Sequence, residues 1–545
     1  MERRFWLFAI LLIVIGVVIG GLFGRMPLRT EAEHGPTTAG VVADYKEALD
    51  VIDTNYVGTV DHDEVADSSM QAMLWTLDPH SSYFTQEEFR KLDEEQSSQF
   101  YGIGVSILQH RDGVYVQSVI PDTPADKAGL RYGDRFLSVD GKDATEWSSG
   151  EVSKNVRGQR GTSVNVKIER VSSPTPIELD IVRGGVPLPS IRNFFMLPNS
   201  IGYVGLTGGF QQTTSEELSI ALADLKKRGM KSLILDLRGN PGGILEQAIE
   251  VVSKFVPAGK TVVSVKGANA TELRELRSNG GGTENFPLVV MINGGSASAS
   301  EIVAGAIQDY DRGLVVGSDS FGKGLVQRVF RLPYGSGLTL TTARYYTPFG
   351  RSLQRDYSSG SIYDYYTHGE DNPETADLDV KPKPAGVAVT TASGRTLYGG
   401  RGIEPDVVVP GQKFNALRGR INEAAFYFVR QVVAGKIAGF EAQKVDKQSF
   451  KQVLQPSEFS ASDRMFDAFR TFTVAEPKNG LTAENINSMA DYARTRLREE
   501  IATANYSTEA GTQALLETDP QILKAIEVMP QASVLLAKTN IDPFK

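Results

Sequence analysis

The sequence predicts a multidomain α/β protein tethered by an N-terminal apolar helix, and three observations predict it. At 545 residues the chain exceeds what a single hydrophobic core serves, so three or four domains are expected. Phe5 to Gly24 is an unbroken run of apolar residues and glycine. From Ile201 onward, β-type runs alternate with stretches of helical period, the pattern of a parallel or mixed sheet with helices on its faces.

Composition narrows the chemistry. A hydrophobic content of 41% and a charged content of 23% are ordinary for a globular protein. The net charge of -9 argues against a nucleic-acid binder, which needs a basic face. Cysteine is absent, which excludes thiol catalysis, cysteine-ligated zinc and disulfides. Histidine catalysis has only five candidates, His34, His62, His80, His110 and His368.

The apolar run from Phe5 to Gly24, at about 1.5 Å per residue, spans roughly 30 Å, the thickness of a bilayer core. Arg3 and Arg4 before it favour a cytoplasmic N-terminus and an exported body; Arg25 and Arg29 after it oppose that reading, with Glu31 and Glu33 close by. The run is long for a signal peptide and no A-x-A cleavage site follows, so an uncleaved single-pass anchor in the inner (cytoplasmic) membrane, with a periplasmic body, is the expectation. Residues 1–4 then form the cytoplasmic N-terminus, 5–24 the transmembrane anchor and 25–40 a polar linker. Residues 41–95 form a small helical domain, in which Ala48, Val51, Ile52, Tyr56, Met70, Met73, Leu74 and Leu77 recur at helical spacing.

At Tyr101 the period changes. Val105, Ile107, Val114, Val116 and Val119 are β-type residues interrupted by the turn Arg111-Asp112-Gly113. Pro124 to Leu130, Gly133 to Val139, Asp140-Gly141-Lys142 and Arg157 to Thr162 follow, leading into a strand at Ser163 to Arg170. In this order the parts of residues 96–184 resemble a PDZ domain. The resemblance implies that Tyr101-Gly102-Ile103-Gly104 is the carboxylate-binding loop, and the physics suits that role. Glycines let consecutive N–H groups converge on an anion, and the strand beyond offers an edge to an extended peptide.

Residues 185–412 carry the alternating pattern. Strands are expected at Ile201–Leu206, Ser232–Leu237, Leu288–Ile292 and Leu314–Gly317, and helices at Thr214–Arg228, Gly243–Phe255 and Ala299–Tyr310. Residues 355–395 are polar and rich in Asp, Tyr and Gly, an irregular insertion, and residues 413–545 read as helical without a catalytic motif.

Chemistry concentrates at two points. Gly294 to Ile302 joins a strand to a helix with small residues and three serines, Ser296, Ser298 and Ser300. A serine there meets free N–H groups and the positive end of a helix dipole, which favour developing negative charge. Chemistry alone does not choose among the three, and Ser300 is also placed to cap the helix. Downstream, Phe321-Gly322-Lys323-Gly324-Leu325-Val326-Gln327 puts Lys323 and Gln327 four apart in a β-type stretch, so both are expected on one face. With a reference pKa near 10.4, only about 4 in 10,000 lysines are neutral at pH 7. Burial that lowers the value to about 7 corresponds to roughly 4.6 kcal/mol. A neutral Lys323 could then deprotonate a serine, with Gln327 orienting the amine.

These pieces resemble the carboxy-terminal processing peptidases, the tail-specific proteases of the S41 family. That family joins a PDZ domain to an α/β core of the crotonase/ClpP type and carries the patterns S-A-S-A-S-E-I and F-G-K-G-x-V-Q. The resemblance implies Ser298 as nucleophile, Lys323 as general base and Gln327 as its orienting partner. Leu235 to Gly243 matches the block that lends an oxyanion N–H, here assigned to Gly242, with Ala299 supplying the second. Thr347 to Ser352 and Gly402 to Asp406 fit the family's core, and the resemblance covers about residues 40–412. It implies a serine endopeptidase acting on extended or C-terminal protein segments, without metal or organic cofactor; oligomers are compatible with it.

Competing readings are weaker. Gly317 to Lys323 spells a partial phosphate loop, but Gly324 stands where Ser or Thr would hold Mg²⁺ and a strand follows in place of a helix. His80 and His110 read as surface or packing residues, and Glu301 and Asp309 as solvated or structural helix carboxylates. The rival class is a membrane-tethered PDZ scaffold with a degenerate peptidase core. Against it, nucleophile, base and orienting amide are all present.

Overall fold

The computed structural model describes residues 37–96, 99–267, 273–280, 283–358, 365, 386–412 and 414–540. The expected anchor at 5–24 lies outside them, as do residues 1–4, most of the linker and much of the insertion. Among the described residues no helix is long and apolar enough to cross a membrane.

The chain divides into two units, residues 1–70 and 71–545. The first contains helix α1 (Thr38–Asn55), capped by Thr37, whose hydroxyl accepts the Gly40 N–H. Its apolar residues follow the helical spacing, yet none is buried. Helix α2 (His62–Trp75) begins there and runs into the second unit. Of the positions that defined the helical spacing there, Leu74 is buried, whereas Met73 and Leu77 are exposed.

In the second unit, strand β1 (Ser82–Phe84) and helix α3 (Gln86–Gln96) precede the PDZ region. That region holds β2 (Gln99–Gly102), β3 (Val105–His110), β4 (Gly113–Val119), α4 (Pro124–Ala128), β5 (Arg135–Val139), β6 (Lys142–Asp143), α5 (Ser149–Val156), β7 (Ser163–Glu169), β8 (Ile177–Val182) and β9 (Gly184–Pro187). The sheet runs β3-β4-β5-β7-β8, so β3 lies at its edge. Alternate residues of β4, β7 and β8 face inward, and Val116, Phe136, Val152, Val166 and Ile181 fill the core.

The peptidase region has three sheets among the described residues, the smallest being the antiparallel pair β19 (Val389–Thr390) and β20 (Thr396–Leu397). Strands β10 (Ile191–Leu197), β11 (Ile201–Leu206) and β12 (Ser232–Asp236) join β15 (Leu288–Ile292), β16 (Leu314–Gly317) and β21 (Val407–Val408) in the order β10-β11-β12-β15-β16-β21. All neighbours are parallel except β10 with β11. Both faces are apolar, as parallel sheets require. Val204, Leu206, Leu233, Leu235, Val290 and Ile292 pack beneath helices α6 (Thr214–Lys227), α7 (Leu245–Ser253) and α8 (Ala299–Asp309). Ile201, Tyr203, Ile234, Val289, Met291 and Val316 alternate with them and face the opposite layer. The second sheet comprises β13 (Thr261–Gly267), β14 (Leu273–Arg277), β17 (Leu325–Arg331) and β18 (Gly337–Tyr346), with β1 added antiparallel to β18.

That opposite layer comes from the helical tail: α9 (Ala416–Val433), α10 (Asp463–Ala475), α11 (Ala483–Ser488), α12 (Ala490–Asn505), α13 (Thr508–Leu516), α14 (Pro520–Glu527) and α15 (Met529–Asn540). Leu516, Ile522, Ala525, Met529, Ala532 and Leu535 cover the peptidase sheet. The earlier tail helices instead share a core with Tyr115 and Tyr132 of the PDZ region.

Candidate active site

Two parallel strands deliver the site. After β12 the chain turns through Arg238 to Gly243, and after β15 it turns through Asn293 to Ser298 into α8. Asn240 straps the two turns together: its side-chain amide donates to the Leu206 carbonyl at 2.7 Å, and its own carbonyl accepts the Ala297 N–H and the Ser300 hydroxyl, both at 3.0 Å.

The three serines occupy different environments. Ser296 is fully buried and donates to the Leu237 carbonyl at 2.8 Å while accepting the Asn293 N–H at 3.0 Å. Ser300 is fully buried and committed to Asn240; it sits inside the first turn, so it is not the helix cap expected of it. Ser298 holds the N-cap position with φ 54° and ψ -112°, a conformation that costs a non-glycine residue of order 1–3 kcal/mol. It is half-buried, and among the described residues no acceptor takes its hydroxyl proton.

Glu301, one turn into α8, is completely buried and accepts four hydrogen bonds. The Ser320 hydroxyl and the Gly322 N–H bind one oxygen, at 2.5 and 2.7 Å. The Ser298 and Lys323 N–H groups bind the other, both at 2.8 Å. The backbones of Ser298 and Lys323 are thus no more than twice that distance apart. Ser320 must donate to Glu301, because its oxygen accepts the Ile403 N–H at 2.7 Å. Burial pushes the Glu301 pKa up; four donors oppose that and favour the carboxylate. Asp309, at the other end of α8, is equally buried and grips Arg351 Nε and Nη2 at 2.9 and 2.7 Å. Neither carboxylate is solvated.

Lys323 lies in the loop before β17. Burial lowers its pKa below the ordinary lysine value, while the negative charges of Glu301 and Asp78 oppose the shift. The expected strand geometry is corrected here. Strand β17 begins only at Leu325, and its register slips between Val326 and Gln327, so alternation does not by itself put Lys323 and Gln327 on one face. Gln327 Nε2 donates to Thr341 Oγ1 at 3.4 Å.

At the expected oxyanion position, the Ala299 N–H has no acceptor among the described residues, whereas the Gly242 N–H donates to Asn240 Oδ1 at 2.9 Å. Gly242 has φ +99°, and a Cβ there would stand 2.8 Å from the Ala297 oxygen, 2.8 Å from Ser298 Cβ and 3.0 Å from Ala299 N. Only glycine fits so close to the Ala297–Ala299 turn.

His80, read from sequence as a surface or packing residue, is buried next to Lys323. Its pKa falls to about 4, first through burial and then through the Lys323 charge. His110 stacks on Phe426, ring centroids 4.0 Å apart, in the seam with the tail. Glu301 carries a signal that sequence reading passed over: Ser298 and Glu301 form the S-x-x-E spacing of a helix start. Asn240 and the Asp78 turn had only generic turn chemistry to mark them.

In the PDZ region, Tyr101 and Gly102 belong to β2 and pair with Gly185 and Gly184. Ile103 is buried, and Gly104 has φ +90° over Thr123. Their carbonyls accept the Ala125 and Ile120 N–H groups, at 2.7 and 3.0 Å. Among the described residues no acceptor occupies the Ile103 or Gly104 N–H groups, and β3 begins just beyond.

Comparison with known proteins identifies the family. The family model described as peptidase family S41 matches residues 200–365, and the PDZ domain model matches residues 102–181. The chain is 34% identical over 350 residues to the carboxy-terminal-processing protease of Bartonella bacilliformis, covering 63% of this chain and 80% of that one. It is 34% identical over 310 residues to the carboxy-terminal processing protease CtpA of Bacillus subtilis, covering 57% and 66%. Among solved structures it is similar to a photosystem II D1 C-terminal processing protease, at 26% identity and a TM-score of 0.35 over 67% of this chain and 86% of that one. The chain belongs to the carboxy-terminal processing proteases of peptidase family S41, which are serine-type peptidases.

Proposed function

We propose that the chain is a membrane-anchored endopeptidase that captures extended or C-terminal protein segments on its PDZ region and cleaves them with a Ser298–Lys323 dyad. The observation that carries the dyad is the shared Glu301 oxygen, which accepts both the Ser298 and the Lys323 N–H. Among the described residues Ser298 is also the serine of the three whose hydroxyl proton no acceptor takes, and burial lowers the pKa of Lys323, the amine this reading makes its base.

In the mechanism, neutral Lys323 takes the Ser298 proton as Oγ attacks the peptide carbonyl. The Ala299 N–H donates to the oxyanion, and the Gly242 N–H joins it by exchanging Asn240 Oδ1 for the substrate oxygen. Lys323 returns its proton to the leaving amine, and water then releases the acyl-enzyme. Gln327 acts on the amine from β17. Capture of substrate uses the free N–H groups of Ile103 and Gly104 for a terminal carboxylate and the β3 edge for the peptide. A carboxy-terminal protease PDZ domain from Vibrio cholerae has been solved in complex with peptide, and this reading gives the same role to residues 101–104. The Phe5–Gly24 run would hold the body at the inner membrane, on its periplasmic side.

A fluorophosphonate probe with peptide turnover tests the dyad. Wild type should label at Ser298 and cleave, Ser298→Ala should do neither, and Lys323→Ala should lose turnover with the fold kept. Labelling that persists in Ser298→Ala would refute the assignment.

A further inference from the structure

The turn Asp78-Pro79-His80-Ser81 lies outside the peptidase sheets in sequence, yet its side chains are buried against the Lys323 loop. Asp78 Oδ1 accepts the His80 and Ser81 N–H groups at 2.8 and 2.9 Å, and Oδ2 accepts the Ser81 hydroxyl at 2.7 Å. This ties the turn into one conformation. Two hydrogen-bond chains leave it. In the first, His80 Nε2 lies 2.7 Å from the Tyr365 hydroxyl; that oxygen accepts Gln354 Nε2 at 3.1 Å, and Gln354 Oε1 accepts the Gly324 N–H at 2.9 Å. In the second, Ser81 Oγ accepts the Thr341 N–H at 3.1 Å, and Thr341 Oγ1 accepts Gln327 Nε2. The chains end at Gly324, the residue after the base, and at Gln327, four residues beyond it.

Packing reinforces the first chain. The rings of His80, Phe321 and Tyr365 meet edge to face, with centroids 5.2 to 6.2 Å apart. The Arg355 guanidinium covers Phe321 and Tyr365 at 4.3 and 4.2 Å. Since Phe321 and Gly324 flank Lys323 closely, a shift of His80 or Tyr365 moves the loop that carries the amine.

We infer that the Asp78–Ser81 turn, acting with Tyr365, is a positioning element for the catalytic base: it braces the Lys323 loop and Gln327 from outside the peptidase core. The inference rests on the Ser298–Lys323 reading. Tyr365 lies in a segment that reads from sequence as an irregular insertion, and this role gives one residue of that segment a function. The charged groups facing Lys323 are Glu301 from α8 and Asp78 from the turn; His80 beside it stays neutral, and Arg355 faces His80.

The test uses the full chain, a fluorogenic peptide with a free C-terminus, and fluorophosphonate titration to count competent sites. His80→Ala and Tyr365→Phe should each lower kcat per titrated site about 10- to 100-fold, the scale of a small misplacement of a catalytic group, with KM changed less than about twofold. The double variant should be no worse than the more damaging single, because both cut one chain. His80→Gln, whose side chain reaches the Nε2 position, should recover much of the loss. Asp78→Asn should move the acid limb of kcat/KM to lower pH, since a negative charge that favours protonated Lys323 is gone. Single variants with wild-type kcat, multiplicative losses in the double variant, or an unmoved acid limb in Asp78→Asn would each overturn the inference while leaving the dyad intact. Turnover that survives both Ser298→Ala and Lys323→Ala overturns the dyad and this inference together.

Discussion

Ser298 holds its strained backbone because its surroundings leave it no alternative. The Glu301 carboxylate grips its N–H from one side, and Gly242 lies against its Cβ from the other. A methyl at position 242 would both demand φ +99° of an alanine and press on Ala297, Ser298 and Ala299. Gly242→Ala should therefore reduce turnover by about a hundredfold or more and also lower the thermal midpoint, since the strain is borne only by the folded state. Near-normal kcat in that variant would show that the turn can yield. Lys323→Arg should be as inactive as Lys323→Ala, because a guanidinium cannot act as a base near neutral pH. In wild type, activity should fall as pH drops through the Lys323 pKa, and burial sets that limb below the ordinary lysine range. The chemistry proposed for this small region draws on small residues, serine and lysine that sit in compact motifs and can be read in sequence. What was not legible was how many bonds each serine already had. Ser296 and Ser300 are spent on the Leu237 and Asn240 carbonyls, and those partners lie some 60 positions away in the chain.

Helix α8 is the element on which the site is mounted, and it is anchored at both ends by buried carboxylates. Its last turn is fixed by Asp309, which takes Arg351 Nε and Nη2 and also the Phe349 N–H. Arg351 is completed by Gln308 Oε1 and the Tyr398 carbonyl. Removing one partner leaves a buried charge unpaired, so Arg351→Ala should cost about 3–5 kcal/mol, read as a drop in the denaturant midpoint. A loss under about 1 kcal/mol would mean that water reaches Asp309. The order of the parallel strands and helices from Ile201 to Gly317 followed from pattern, because the strands are short continuous apolar runs and the helices between them repeat apolar residues at helical spacing. The β13–β14 hairpin and the slip in β17 did not. A bulge depends on which residue the partner strand offers, and Gln327 alone does not reveal Thr341.

At the scale of the molecule, the tail read as plain helix turns out to bind two regions at once. Arg238, at the end of the peptidase strand, forks between Asp236 and Asp519, which caps α14. The other side of the tail meets the PDZ region, where Tyr132 donates to Glu500 at 2.7 Å and Arg430 Nε donates to the Gly133 carbonyl at 2.6 Å. His110 belongs to this seam. It is buried, its Nε2 has no hydrogen-bond partner among the described residues, and its pKa falls to about 4, chiefly through burial, against 6.5 when unfolded. The unfolded chain therefore binds the extra proton between those values. The stability from keeping this ring neutral is complete above pH 6.5 and is lost as pH falls toward 4, about 2 kcal/mol of it between pH 7 and 5. His110→Phe, which keeps the stack on Phe426, should shrink the difference between urea midpoints at pH 7 and pH 5. An unchanged difference would assign the acid loss elsewhere. Sequence could not announce this seam, because its helical periodicity is satisfied equally by any apolar neighbour.

The last described helix adds a consequence for the protein's own survival. Residues 529–540 are coiled into α15, with Ala532 and Leu535 pressed into the peptidase sheet. Under the proposed strand-addition capture, which takes extended backbone, this stretch enters the groove only after that layer has come away. Self-cleavage within 529–540 should accordingly rise in variants that loosen the tail, read by intact mass after incubation.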